Sequence, residues 1–191
     1  SRGLGDVYKR QLLLSLFISC NNESSENNDL QPETNQELVE IYLINNLNDT
    51  RGYCIDMRGY KTNANVNSSL QAHTCYSYQG EISVDQGFDS VKIVNNEFYI
   101  NHFEVCMEAD KIESSSNVNL SICDKNDKQK FILQSDGKIQ LKTNLSLCLT
   151  VSESFEEGGG GNPIHLIRTL TLQNCNDEHS SRQKWGTRKS N

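Results

Sequence analysis

Seven cysteines, four histidines and an excess of carboxylates are the residues with chemistry to offer in this chain of 191. Their spacing decides which chemistry. The cysteines are Cys20, Cys54, Cys75, Cys106, Cys123, Cys148 and Cys175, with no C-x-x-C among them. A structural zinc site normally brings two ligands within a few residues of each other, so no metal is expected. The histidines, His73, His102, His165 and His179, fall in separate segments without a spacing such as H-E-x-x-H. No serine stands in a nucleophile-elbow setting. The EEGGGG stretch, residues 156–161, lacks the Lys-Ser/Thr that would follow a phosphate loop and reads as a mobile hairpin tip. Neither an enzyme nor a bound cofactor is expected. One carboxylate does stand out: Asp56 in CIDMRG lies between apolar Ile55 and Met57, as the polar face of a strand, a turn cap or a ligand contact.

The elements that must hold these residues are short. Two prolines, seven tyrosines and brief apolar runs separated by Asn- and Ser-rich turns favour an all-β chain, and no long 3.6-period stripe contests it. The length suits one domain of about 150 residues, preceded by a segment of different composition. If Cys20 stands apart, six cysteines remain. In an exported chain they read as three disulfides, whose pairing the spacing alone leaves open.

The segment KRQLLLSLFISC carries Lys9 and Arg10, an apolar run from Leu12 to Ile18, small Ser19 and then Cys20. That run is too short to cross a bilayer as a helix and has the layout of an export signal. LFISC resembles a bacterial lipobox, with Phe17 where that pattern usually has Leu; the resemblance implies a lipid on Cys20. Residues 1–11, SRGLGDVYKRQ, resemble translated adaptor read-through. Residues 21–36 have one apolar side chain, Leu30, and are expected to be a flexible polar tether for a domain spanning 37–188. The expected location is thus outside the cell, on a bacterial membrane or surface, or secreted. Acidic charge is concentrated early, with Glu23, Glu26, Asp29, Glu33, Glu37 and Glu40 unopposed by Lys or Arg between residues 21 and 40. The rest is near neutral, with no basic cluster of the kind nucleic acid needs, so nucleic acid is not expected as a partner.

The six later cysteines form three consecutive pairs, each followed by a Gln-x-aromatic triplet. Cys54 and Cys75 precede Gln86-Gly87-Phe88, Cys106 and Cys123 precede Gln129-Lys130-Phe131, and Cys148 and Cys175 precede Gln183-Lys184-Trp185. Three repeats follow, about 38–90, 91–133 and 134–188. Each is too small to bury its own apolar face, so the three should close around one core, with Phe88, Phe131 and Trp185 at its centre. The glutamines should then satisfy backbone groups nearby.

This pattern resembles the ricin-type β-trefoil lectins. The resemblance implies a threefold barrel capped by hairpins, with disulfides Cys54–Cys75, Cys106–Cys123 and Cys148–Cys175, and it implies glycan binding of a galactose type. In that family a carboxylate lies two residues after the first cysteine of a repeat and an aromatic two before the second. Carried onto this chain, the first repeat has Asp56 and His73, with Gln71 as a further polar contact and Tyr76 and Tyr78 as alternative stacking plates. The second repeat has Glu108 but Ser121 for the plate, making it a weak second site. The third has Thr150 and Gln173 and is expected to serve the fold alone. The rival reading is a protein-interaction or inhibitor trefoil that has lost sugar binding.

Overall fold

The computed structural model describes residues 37–189; the expected export signal, the expected lipidation of Cys20 and the expected tether fall outside the described residues, as does the side chain of Tyr78. The first repeat contributes β1 (Leu38–Leu43), β2 (Tyr53–Asp56), β3 (Gln71–Thr74) and β4 (Gly87–Asp89), followed by the short helix α1 (Ser90–Val94). The second contributes β5 (Tyr99–Ile100), β6 (Val105–Ala109), β7 (Val118–Ile122) and β8 (Phe131–Leu133). The third contributes β9 (Ile139–Leu141), β10 (Asn144–Val151), a short extra strand β11 (Glu156–Glu157), β12 (Leu166–Asn174) and β13 (Trp185–Arg188). Four main strands thus recur three times, and the fold is an all-β trefoil.

Alternation sets which side of each strand is buried. In β1, Val39, Ile41 and Leu43 are buried while Leu38 is exposed. First and fourth strands of the repeats pair into the barrel wall: β1 with β4, β8 with β9, and β1 with β13, which brings Leu43 opposite Trp185. Second and third strands pair as caps, β2 with β3, β6 with β7 and β10 with β12. Each cap is tied by one disulfide, Cys54–Cys75, Cys106–Cys123 or Cys148–Cys175, the pairing that the family resemblance implies. Helix α1 is the one α-helix among the described residues, started by Asp89, whose Oδ1 accepts from the Val91 and Lys92 amides at 2.9 and 3.1 Å.

The three triplet aromatics meet in one core. Phe88 and Phe131 are wholly buried and Trp185 nearly so, in a cluster with Leu43, Met57, Phe98, Met107 and Leu149. Phe98 meets Phe131 edge-on, ring centroids 5.9 Å apart. The indole N–H of Trp185 donates to the Leu149 carbonyl at 3.0 Å, so the largest side chain of the core has no orphaned polar atom.

Candidate functional site

Each triplet glutamine ties the base of one cap to the same three points. Gln86 Oε1 accepts from the Tyr76 amide at 3.0 Å, Gln129 Oε1 from the Asp124 amide at 3.0 Å, and Gln183 Oε1 from the Asn176 amide at 2.9 Å. In each repeat the amide belongs to the residue after the second cysteine. The Nε2 groups donate to the carbonyl before that cysteine, Thr74 at 3.5 Å, Ile122 at 2.8 Å and Asn174 at 3.0 Å. The backbone role expected of these glutamines is therefore present. A third contact went unread in the sequence: Nε2 also donates to the side chain two residues after the first cysteine, Asp56 at 3.0 Å, Glu108 at 2.8 Å and Thr150 at 2.9 Å.

In the first repeat this contact belongs to a buried polar cluster. Asp56 and Gln71 face each other across β2 and β3, and Gln71 Nε2 donates to Asp56 Oδ2 at 2.7 Å while Gln86 takes Oδ1. Asp56 is only 2% exposed. Burial pushes its carboxyl well above the usual carboxylate range, the charge of Asp85 adds to that push, and the two amide donors oppose it. Each oxygen has accepted one hydrogen bond of the two it can take, so acceptor capacity remains.

His73 and Tyr76 stand beside this cluster, on the wall of a recess of about 370 Å³ that Gln79, Lys61 and Gly159 also line. Asp56 and Gln71 do not line that wall. The His73 and Tyr76 rings are stacked, centroids 5.2 Å apart and planes 27° apart. Tyr78 belongs to the short 3-10 turn Ser77–Gln79, and its side chain lies outside the description.

The recess has a second source, in another repeat. The hairpin between β11 and β12 carries His165 to within 4.8 Å of His73 and 5.3 Å of Tyr76, centroid to centroid. Thr74 Oγ1 and His165 Nδ1 are 2.7 Å apart. Arg51 fixes the hairpin from the first repeat, donating to the Pro163 and Ile164 carbonyls at 2.9 and 2.6 Å while Asp49 pairs with it at 2.6 Å. Gly161 has φ of +90°, and a Cβ there would stand 2.5 Å from the His165 ring, so the turn needs glycine. The EEGGGG stretch thus forms part of the recess wall. Spacing alone could not find His165, because its partners belong to the first repeat. The signal was length: the third cysteine pair is 27 residues apart against 17 in the second.

Both histidines are neutral at neutral pH. Burial lowers His73 to about 4 and lowers His165 as well, with the Arg51 charge as its next cause. The Thr74 carbonyl 2.9 Å from His73 Nδ1 can only accept, so the His73 proton sits on Nδ1 and Nε2 is left as an acceptor. The unfolded chain takes up this proton near the ordinary 6.5 and the folded chain only near about 4. The resulting stability is complete above 6.5 and is lost as pH falls toward 4, to a total of about 3 kcal/mol. Urea unfolding from neutral pH downward should therefore show the chain losing more stability than its His73→Gln variant; equal losses would remove His73 as the cause.

In the second repeat the acid is already satisfied. Asn126 and Gln129 donate to Glu108 Oε2 at 2.9 and 2.8 Å, and Lys128 lies 3.3 Å from Oε1. Burial works against ionisation, but these three partners hold Glu108 below its usual range. Ser121 supplies no ring. In the third repeat, Thr150 and Gln173 stand at the corresponding places and line a separate recess. The two groups of metal-capable side chains among the described residues, around Glu40 and Glu97, each draw two of their three members from a disulfide.

A profile of the family described as the ricin-type beta-trefoil lectin domain matches residues 41–185. Among solved structures, the mdaA-1 domain is 18% identical with a TM-score of 0.58, over 80% of this chain and 89% of that one. The earthworm lectin C-terminal domain mutant in complex with 6'-sialyllactose is 16% identical with a TM-score of 0.55, over 80% of this chain and 98% of that one. The Vibrio vulnificus hemolysin/cytolysin β-trefoil lectin with N-acetyl-D-lactosamine bound is 14% identical with a TM-score of 0.51, over 82% and 96%. At these identities the likeness is one of fold. No curated protein sequence matches the chain.

Proposed function

Because the chain belongs to the ricin-type β-trefoil lectin domain family, we propose that it is a noncatalytic glycan-binding protein whose first-repeat recess takes a galactose-type sugar. The observation that carries this reading is the stacked pair of rings, His73 and Tyr76, on the recess wall, with buried Asp56 tying the groups behind them through Gln71 on the His73 strand and Gln86, which holds the Tyr76 amide. A sugar ring has an apolar face that packs on an aromatic plate, and polar groups at the rim fix its orientation. His165 extends the plate, and Gln79 and Lys61 supply polar contacts at the rim. Tyr76, Lys61 and Gln79 also line an adjoining recess of about 220 Å³, room for a further residue of a longer glycan. The solved trefoils with sialyllactose and N-acetyl-D-lactosamine bound support glycan binding as the class of function.

In this reading the second and third repeats do not share the work, since Glu108 is occupied by its neighbours and Thr150 replaces the acid. One shallow recess binds weakly. Many copies on a bacterial surface, each held by a lipid on Cys20 and the tether that follows, would raise the effective affinity by avidity.

A glycan array probed with the full chain and with Tyr76→Ala tests the proposal. Galactose-terminated glycans should bind the chain, and the variant should lose about tenfold or more of the signal, the scale of removing a central aromatic contact. Undiminished binding by Tyr76→Ala would reject the recess. A protein partner captured without competition from free sugars, together with a blank array, would favour the interaction-module reading.

A further inference from the structure

Two positions change together around the pseudo-threefold axis. One is the residue two after the first cysteine, and the other is the residue just before the triplet glutamine. They are Asp56 and Asp85 in the first repeat, Glu108 and Lys128 in the second, and Thr150 and Arg182 in the third. The first pair is doubly acidic. The second neutralises itself, with Lys128 Nζ 3.3 Å from Glu108 Oε1. The third has lost the acid and kept a cation. Three equivalent places thus pass from acidic through neutral to basic.

The third place is also a cavity. A recess of about 480 Å³ is walled by Thr150, Thr171, Gln173, Asn176, His179 and Arg182, and no carboxylate side chain lines it. Arg182 donates there to the Val151 carbonyl at 3.1 Å and lies 3.0 Å from His179 Nδ1. It forms no ion pair among the described residues, so no carboxylate among them neutralises its charge. The polar groups around it are held in place: Gln173 Nε2 donates to Thr171 Oγ1 at 3.0 Å, and Ser114, from the second-repeat hairpin, donates to Gln173 Oε1 at 3.1 Å. Thr150 Oγ1 donates to the Cys148 carbonyl at 2.9 Å and accepts from Gln183 at 2.9 Å, so it acts as a neutral wall where the other repeats present an acid.

We propose that this third-repeat recess binds the anionic group of an acidic saccharide, a carboxylate or a sulfate, with the Arg182 guanidinium as the charged donor. A guanidinium suits either oxyanion because it offers paired N–H groups in a fixed plane. The removal of the carboxylate that the other two repeats keep at this position is what admits a negative ligand. This site stands independently of the first-repeat reading, since neither its residues nor its ligand chemistry are shared with that recess.

The test is an amide-shift titration by NMR of the full chain at constant ionic strength, with glucuronic acid, N-acetylneuraminic acid, galactose 6-sulfate and galactose as probes. The acidic sugars should move amides of residues 150–152, 171–176 and 179–183, and galactose should not. A response to the carboxylates alone or to the sulfate alone supports the site and fixes its class. Arg182→Gln should weaken the acidic response about tenfold or more, and Arg182→Lys should retain part of it. Thr150→Asp restores an acid to the recess without removing Arg182 and should abolish the response, which keeps the test open should Arg182→Gln fail to fold. The proposal is overturned if galactose moves the same amides, if no acidic sugar moves them, or if the shifts survive both Arg182→Gln and Thr150→Asp.

Discussion

Trp185→Ala is expected to cost about 3 to 5 kcal/mol of folding stability, the range for emptying a large aromatic site in a packed core. Trp185 is 1% exposed and packs in the cluster shared by all three repeats. It also pairs across β13 and β1 with Leu43, where the last strand of the domain meets the first. The cavity would therefore open between the two ends of the folded chain. A domain of this size has about 5 to 15 kcal/mol in total, so the variant should unfold at much lower urea or not fold stably at all. Trp185→Phe restores the triplet type found at Phe88 and Phe131. It should cost less, about 1 to 3 kcal/mol, chiefly because the Leu149 carbonyl then lacks the indole donor. A Trp185→Ala chain within about 0.5 kcal/mol of the original, the ordinary effect of a surface change, would contradict a central role for this residue.

Asp56→Thr should separate folding from binding. The third repeat demonstrates that a threonine can occupy this place, since Gln183 donates to Thr150 Oγ1 at 2.9 Å much as Gln86 donates to Asp56 at 3.0 Å. The glutamine thus keeps an acceptor, and Gln86 still holds the Tyr76 amide through Oε1. Burial of the Asp56 carboxyl is itself unfavourable, as its raised proton affinity indicates, so replacing it also removes a cost. Against this, Gln71 loses its 2.7 Å partner. The net change in stability should lie within about 1 kcal/mol. Glycan binding should fall about threefold to tenfold, the scale of one lost hydrogen bond, because Gln71 on the His73 strand loses the acceptor that fixes it behind the recess wall. Urea unfolding read beside glycan affinity gives both numbers. Unchanged affinity would remove Asp56 from the site, and a stability loss well beyond about 1 kcal/mol would contradict the tolerance that Thr150 indicates.

Much of the fold was legible because repetition makes a weak signal specific. One cysteine pair or one Gln-x-Phe says little, but three in the same order placed the repeats and the core aromatics, and the family resemblance that they carry implied the caps and the disulfides. The offsets that the family resemblance supplies pick out Asp56, which lies in the buried cluster with Gln71 and Gln86, and His73, which lies on the recess wall. Other features could not be read, because they depend on contacts between repeats. His165 reaches His73 only through the β11–β12 hairpin and the Arg51 clamp, neither of which repeats. The third contact of the triplet glutamines was hidden for a different reason: a buried amide predicts that partners exist, and only the folded chain shows that one of them is the side chain two residues after the first cysteine. Arg182 was visible beside Gln183, yet a position judged by the acid it lacks does not announce the cation that has replaced its neighbour.

In the proposed complex a neutral glycan sits on His73 and Tyr76. Mapping amide shifts on the full chain during titration with a galactoside tests it most directly. The predicted result is a single group of saturating shifts at residues 59–61, 73–79 and 159–165, drawn from two repeats and meeting at the recess. Shifts confined to the second or third repeat, or no saturating shifts with any neutral glycan that the array selects, would contradict it.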